Sequence, residues 1–307
     1  MSLSYITKQL PLLLKGTVPP VSEFIPKHCP VVQNDVQSLR DFVKNSERIL
    51  VVTGAGISTE SGIPDYRSEA VGLYARSNHK PVQYSDFLKS ATVRQRYWAR
   101  NYIGWPKFSQ TQPNITHYIL HLLEEIGKVL CVVTQNVDRL HTKARSQNVV
   151  ELHGAAFRVI CLNCGEFYNR HYIQEKLKRL NPKLEVTSDM VRPDGDVEIL
   201  QDKIKYFKPP FCDSCDGVLK PDITFFGDNI PRTRVDSVRT QVSASDALLV
   251  LGSSLSVFSG YRILLQAHEE RKNIAIVNIG PTRADKLANL KISARCGDIL
   301  SEIFKIT

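Results

Sequence analysis

The chain has no long apolar run. Nowhere in its 307 residues do about 18 apolar residues follow one another, the minimum for a membrane-spanning helix, and no membrane partner is expected. It has no acidic residue before Glu23, although Lys8, Lys15 and several serines fall in that stretch. A segment so poor in acids has the composition of an organelle-import segment, but it holds no arginine, and a frayed terminus is the alternative. It also lacks an even cysteine framework: of seven cysteines, four form two Cys-x-x-Cys pairs, Cys161/Cys164 and Cys212/Cys215, and Cys29, Cys131 and Cys296 are scattered. An odd total with paired spacing argues against a disulfide scaffold and for a reduced compartment with a metal site. There is no internal repeat and no low-complexity tract. Basic and aromatic residues are not interleaved, so the net charge of +9 favours anionic partners without reading as a nucleic-acid surface.

What is present is an ordinary globular composition, 42% hydrophobic and 23% charged, with ample length for a core. Residues 1–33 carry Pro11, Pro19, Pro20, Pro26 and Pro30 and read as an extension lying over the surface without regular structure. Asp35 is placed to cap a helix, because Val36, Leu39, Phe42 and Val43 follow at helical spacing. Four short apolar runs, 49–52, 129–133, 248–251 and 274–277, have the character of strands buried on both faces. Each ends in a small or polar turn: Thr53-Gly54, Thr134-Gln135-Asn136, Gly252-Ser253-Ser254 and Asn278-Ile279-Gly280. Such strands separated by helical stretches predict an α/β fold with a Rossmann-like, doubly wound parallel sheet. Ligands in that architecture sit beyond the carboxyl ends of the strands, so the four turns should line one crevice. The span 161–216 breaks the rhythm and reads as an inserted small module, leaving 34–160 and 217–307 as the main domain.

Gly54-Ala55-Gly56 follows the first strand directly, where glycine permits a tight turn and lets the backbone approach a phosphate. A dinucleotide fingerprint would place a third glycine where Thr59 stands, and no acidic strand end follows about 20 residues on. By itself the motif fits a plain strand-to-helix turn equally well.

Two Cys-x-x-Cys knuckles can close a tetrahedral zinc site, and four thiolates leave no open position, so such a zinc is structural. A redox pair or an iron–sulfur cluster are the alternatives. The gap from Cys164 to Cys212 is wider than the roughly 15–20 residues of a zinc ribbon. In its middle, residues 191–197, rich in Pro, Gly and Asp, read as a loop. Either it reaches the substrate pocket and narrows substrate choice, or it is solvated surface.

The stretch Ile57-Ser58-Thr59-Glu60-Ser61-Gly62-Ile63-Pro64-Asp65-Tyr66-Arg67 resembles the first signature of the sirtuin family. Thr134-Gln135-Asn136-Val137-Asp138-Arg139-Leu140-His141 resembles the second, and Glu151-Leu152-His153-Gly154 the third. Gly252-Ser253-Ser254, Asn278-Ile279-Gly280 and Arg295-Cys296-Gly297-Asp298 match later segments in the same order, so the resemblance spans about residues 35–305. Residues 71–74, 96–101 and 280–283 look most similar to a mitochondrial class II branch, which implies import into the mitochondrial matrix.

The resemblance implies NAD-dependent removal of acyl groups from protein lysines, with nicotinamide, O-acyl-ADP-ribose and free lysine as products. Long, branched or lipoyl-type acyl groups are expected ahead of plain acetyl. Protein ADP-ribosyl transfer at the same NAD site is the alternative. His153 is the expected base, since an imidazole titrates near neutral pH. Asn136 and Asp138 are expected to hold the nicotinamide with Val137 between them, and Asp138 also to cap the following helix. Gln135 is expected on the ribose. Gly54, Ala55, Gly56 and Ile57 form the cofactor turn, with Tyr66 shielding the ribose and Arg67 pairing with a phosphate. Gly252, Ser253 and Ser254 fit phosphate and ribose contacts, Asn278, Ile279 and Gly280 the adenosine ribose, and Cys296 the adenine edge. Phe225, Phe226 and Gly227 lie in the segment expected to pair with an acyl-lysine substrate bound as an extended strand. Tyr74 and Arg76 are expected at the cofactor loop and acyl pocket, where an arginine would favour a carboxylate-bearing acyl group. Their Tyr-Ala-Arg spacing differs from the Tyr-x-x-Arg of succinyl-preferring relatives.

Overall fold

Among the described residues nine strands carry the architecture: β1 (Ile49–Thr53), β2 (Val129–Thr134), β3 (Val149–Glu151), β4 (Gly154–Cys161), β5 (Phe167–Asn169), β6 (Leu219–Ile223), β7 (Ala247–Leu251), β8 (Asn273–Val277) and β9 (Leu290–Ile292). The computed structural model describes residues 4–14, 22–77, 81–184, 188, 192–199 and 204–304. Six strands form one sheet in the order β3-β2-β1-β7-β8-β9, every pairing parallel. The four apolar runs are its central strands. The side-chain period of two sends Ile49, Val51, Leu249 and Leu251 to one core and Leu50, Val52, Leu248 and Val250 to the other. The edge strands β3 and β9 are three residues each and contain Glu151 and Lys291, so they give no apolar run to read.

The helices in chain order are α1 (Ser4–Leu13), α2 (Gln33–Asn45), α3 (Leu73–Arg76), α4 (Tyr84–Lys89), α5 (Ala91–Gln110), α6 (Ile115–Glu125), α7 (Leu140–Lys143), α8 (Arg170–Leu180), α9 (Arg232–Ala244), α10 (Phe258–Glu269) and α11 (Cys296–Ile303). Helices α1, α2, α6 and α11 cover one face of the large sheet, and α9 and α10 the other. Two expectations change here. Residues 4–13 are helical, not irregular: Ile6 and Leu10 are fully buried in the core and α1 packs on α6. Burying two such side chains contributes about 1.5–3 kcal/mol each, enough to draw an amphipathic segment onto the body. Asp35 is not the cap of α2. It lies inside the first turn, where its charge complements the helix dipole, and Val32 precedes the helix without a side-chain cap bond.

The second, antiparallel sheet has the order β5-β4-β6. Its core joins Ile173 and Leu177 of α8 to an aromatic wall from α4 and α5: Phe87, Tyr97, Trp98, Trp105 and Phe108. This cluster draws on residues either side of the 161–216 span as well as on the span itself. Residues 192–197 are docked onto it. Arg192 and Asp196 are buried and paired at 3.2 Å, Arg100 of α5 meets Asp196 at 2.7 Å, and Arg100 Nε donates to the Val197 carbonyl. The described part of that loop is therefore not a solvated strap.

Behind β1 and β2 two histidine rings, His117 and His141, lie 4.8 Å apart with no solvent access, and His141 Nε2 is 3.0 Å from Thr53 Oγ1. Burial first, and then the neighbouring ring, drives His117 well below the ordinary histidine value; burial lowers His141 to about 3. The unfolded chain, titrating near 6.5, binds more protons than the folded one between those values, so stability is fully present above about pH 6.5 and is lost as pH falls. By pH 5 about 2 kcal/mol of stability is lost through His141 alone. Melting temperature should drop from pH 6.5 to pH 5, less steeply in His141→Gln. A variant as steep as the wild type would assign the acid sensitivity to other groups.

Candidate functional site

The sheet order reverses between β1 and β7, and there the loops after β1, β2, β7 and β8 open a cavity of about 1070 Å³. Backbone bonds tie these loops together: Gly54 N–H donates to the Leu251 carbonyl, Gly56 N–H to the Gly252 carbonyl and Gln135 N–H to the Thr53 carbonyl. The close approach explains the glycines. A Cβ on Gly54 would lie 2.7 Å from Ser253 Cβ, and one on Gly56 2.7 Å from the Gly252 oxygen. Side chains here would force the turns after β1 and β7 apart.

His153 stands between β3 and β4, and its backbone carbonyl accepts from Thr224 N–H just past β6. Its Nδ1 is 2.9 Å from the Gln135 carbonyl, which can only accept, so Nδ1 carries the proton. That leaves Nε2 with the lone pair a base requires. Burial pushes the ring below its usual value, the Gln135 bond pulls it up, and Arg234 lowers it further. Asn136 Nδ2 donates to the Gly54 carbonyl and Ser58 Oγ, both at 3.0 Å. Asp138 accepts from Ser58 Oγ at 2.7 Å and from Leu140 N–H at 2.9 Å, the latter in the first turn of α7; burial raises its carboxyl. Gln135 Nε2 bonds Ser253 Oγ at 2.8 Å, linking the β2 and β7 turns.

The cavity wall contains Gly54, Ala55, Gly56, Tyr66, Arg67, Gln135, Asn136, Val137, Asp138 and His153. It also contains Phe225, Phe226, Gly227, Gly252, Ser253, Ser254, Asn278, Ile279, Gly280 and Cys296. Asn278 Nδ2 bonds the Gly280 carbonyl at 2.9 Å, shaping that turn. Cys296 is buried and its thiol raised by that burial, which suits a lining residue and not a nucleophile. Phe225 packs on Phe87 and Tyr97, while the Phe226 carbonyl accepts from Tyr84 N–H, so one edge of this segment is already paired.

Three residues fall elsewhere. Ile57 is buried in the core behind the turn. Tyr74 packs on Tyr66, rings 5.8 Å apart, with the Arg67 guanidinium 5.7 Å from the centre of its ring, and lies outside the cavity wall. Arg76 also lies outside it: Nε bonds the Val71 carbonyl at 2.8 Å and the guanidinium stacks on Phe24 at 4.8 Å, joining the loop to the N-terminal segment. An arginine so placed gives the cavity no carboxylate anchor.

Sequence reasoning missed several contributors. Ser58 and Glu60 sat unremarked inside the first motif. Ser58 holds both Asn136 and Asp138, and Glu60, buried, pairs with Arg295 at 3.1 Å and accepts from Gly297 N–H. Ile25, Pro26 and Lys27 of the N-terminal segment, Pro193 and Asp194 of the docked loop, and Ser259 of α10 also line the cavity. None of these carries a local signal, because long-range packing brings them there.

At the far end of β4 the sulfur atoms of Cys161, Cys164, Cys212 and Cys215 lie within 4.8 Å of one another, with Cys161–Cys215 and Cys164–Cys212 at 3.6 Å. Tetrahedral zinc with bonds of about 2.3 Å spaces its sulfurs by about 3.8 Å, so the set fits that ion. Asn163 N–H donates to Cys161 Sγ and Asn163 Nδ2 to Cys215 Sγ, and Tyr168 Oη sits 3.1 Å from Cys212 Sγ, holding that thiol down at about 6. A Cβ on Gly217 would come within 2.8 Å of Cys161 Sγ, so the knuckle needs glycine there.

With this geometry in place, the chain matches the Sir2 family model over residues 54–259. It is 59% identical to the NAD-dependent protein deacylase Sirt4 of Drosophila melanogaster, over 92% of this chain and 90% of that protein. It is 52% identical to the human NAD-dependent protein lipoamidase sirtuin-4, mitochondrial, over 90% of this chain and 88% of that protein. A solved structure of Sir2 bound to acetylated peptide superposes with a TM-score of 0.68 at 28% identity, covering 89% of this chain and 99% of the other.

Proposed function

Since the chain belongs to the Sir2 family, we propose that it removes acyl groups from protein lysines at the expense of NAD, as its relatives' names describe. The observation that carries this reading is the convergence of four strand-end loops on one cavity with a singly protonated imidazole in its wall. NAD supplies a glycosidic bond whose nicotinamide departs readily, leaving the ribose open to the amide oxygen of an acyl-lysine. The protein's part is positioning and a base. Asn136 and Asp138, preset by Ser58, present amide and carboxyl groups to the nicotinamide end. The glycine cradle and Ser253 take the phosphates, and Arg67 and Tyr66 sit at the loop that closes over them. His153 accepts a ribose hydroxyl proton at Nε2. The four cysteines hold zinc, which supplies structure and no open coordination position.

The substrate is a protein, bound as an extended strand beside 225–227 on one side and the stretch after Leu255 on the other; the place of both stretches in the cavity wall and the exposed Phe226 support that mode. The catalytic domain comprises 34–160 and 217–307 with the zinc module at 161–216. The protein belongs in the mitochondrion, as the human relative's name indicates for that protein, and specifically in the matrix.

The decisive experiment incubates purified, zinc-replete protein with NAD and lysine peptides bearing acetyl, branched and lipoyl groups, read by mass spectrometry. O-acyl-ADP-ribose, nicotinamide and free lysine are expected, with acetyl the poorest substrate. ADP-ribosylated protein without deacylation would favour transfer instead, and NADH would overturn the reading. The docked loop places Pro193 and Asp194 in the wall, so deleting 190–200 should shift relative rates between short and long acyl groups by roughly tenfold or more. An unchanged profile would reduce the loop to a strut.

A further inference from the structure

Ser259 is the second residue of α10, and its Oγ lies 2.8 Å from His153 Nε2. Because the Gln135 carbonyl fixes the proton on Nδ1, the hydroxyl donates to the Nε2 lone pair in the resting site. Ser259 also borders a second cavity of about 400 Å³ behind the first, with Leu152, Arg239 and Arg262 in its wall, so the hydroxyl hydrogen has room to turn away.

We propose that Ser259 is the positioning residue of the base, holding Nε2 toward the ribose hydroxyl and switching from donor to acceptor when that nitrogen takes the proton. This rests on the deacylase reading above. The balance is simple: one proton moves from the ribose oxygen to Nε2. Ser259 first turns its hydrogen toward the rear cavity and leaves the Nε2 lone pair to the ribose hydroxyl; once the proton has moved, Ser259 still holds its own proton and accepts from the new Nε2–H as the ribose oxygen withdraws. The imidazolium is then bonded on both nitrogens, to the Gln135 carbonyl and to Ser259 Oγ. A bond to a charged donor is stronger than one to a neutral ring, so the serine favours the protonated product of the transfer. The other charged groups around the ring are spoken for. Arg234 of α9 pairs with Asp222 of β6 at 2.9 Å, and Glu151 of β3 is held by Arg139 and Arg158. Burial presses the ring towards neutrality, the Gln135 bond opposes it and Arg234 adds to it; an acceptor at Nε2 would work in the same direction as the Gln135 bond.

The test compares Ser259→Ala and Ser259→Thr with the wild type on the best acyl peptide. Ser259→Ala should lower kcat roughly ten- to hundredfold, leave KM for NAD near wild type, and move the acidic limb of the kcat profile to lower pH. Ser259→Thr, which keeps the hydroxyl, should restore both. If Ser259→Ala fails to fold, Ser259→Gly removes the same hydroxyl for the same comparison. Wild-type kcat in the hydroxyl-free variant, or a loss of kcat without movement of the acidic limb, would overturn the role. So would a folded Ser259→Thr as damaged as the alanine variant. An inactive wild type would instead remove the deacylase reading itself.

Discussion

Replacing His153 with alanine is expected to lower kcat by roughly a hundred- to ten-thousandfold, the range a positioned general base contributes. NAD affinity should change little, because the cradle and nicotinamide contacts we propose for Gly54, Gly56, Asn136 and Asp138 rest on bonds to Ser58 and to backbone groups and not on the imidazole. Titration of NAD against the variant by calorimetry, set beside its turnover, separates the two. The wild-type profile carries a matching signature. Burial holds the ring below the ordinary histidine value, so the base stays neutral to more acidic pH, and activity is lost only as pH falls through that lowered value. His153→Ala retaining deacylation would move the base to another residue. His141 is a poor substitute: it is fully buried, bonded to Thr53, and absent from the cavity wall.

Removing one zinc ligand should be as damaging by a different route. Cys212→Ser leaves three thiolates, and structural zinc in small modules contributes roughly 10–16 kcal/mol of apparent binding energy to folding. The consequence reaches the catalytic centre through one strand pair. β4 runs from Gly154, next to His153, to Cys161, and pairs with β6, whose exit residue Thr224 holds the His153 carbonyl. Cys212→Ser is expected to lose bound metal and all deacylation. Amide exchange should show the β4–β6 pair unprotected while the six-stranded sheet stays protected, because the latter's two cores contain none of the four cysteines. A metal-free variant with full activity and intact protection in β4 would show that the lobe folds without the ion.

Much of this was legible in the chain itself. The central strands were readable because a strand buried on both faces must be apolar at every position, and a turn that approaches another backbone must be glycine. Ile49–Thr53 and Gly54-Ala55-Gly56 obey both rules locally. The two Cys-x-x-Cys pairs were readable because metal ligation needs thiolates at knuckle spacing, whatever lies between. The residues lining the cavity followed from motifs clustered at strand ends.

Tertiary structure alone decided the rest. Arg76 stands where sequence order suggested an acyl pocket, yet its guanidinium is turned onto Phe24 and Val71, a choice set by a neighbour about 50 residues away. The N-terminal segment, whose prolines suggested irregular structure, holds a helix because Ile6 and Leu10 find an apolar surface on α6 that no local pattern announces. The 192–197 loop docks because Arg100 and Arg192 converge on one buried carboxylate. Ser259 meets His153 across 106 residues of chain. Sequence fixes what depends on neighbours along the backbone: periodicity, turn chemistry and ligand spacing. Which polar atom completes another across the fold depends on how layers pack, and that is settled only when the whole core closes.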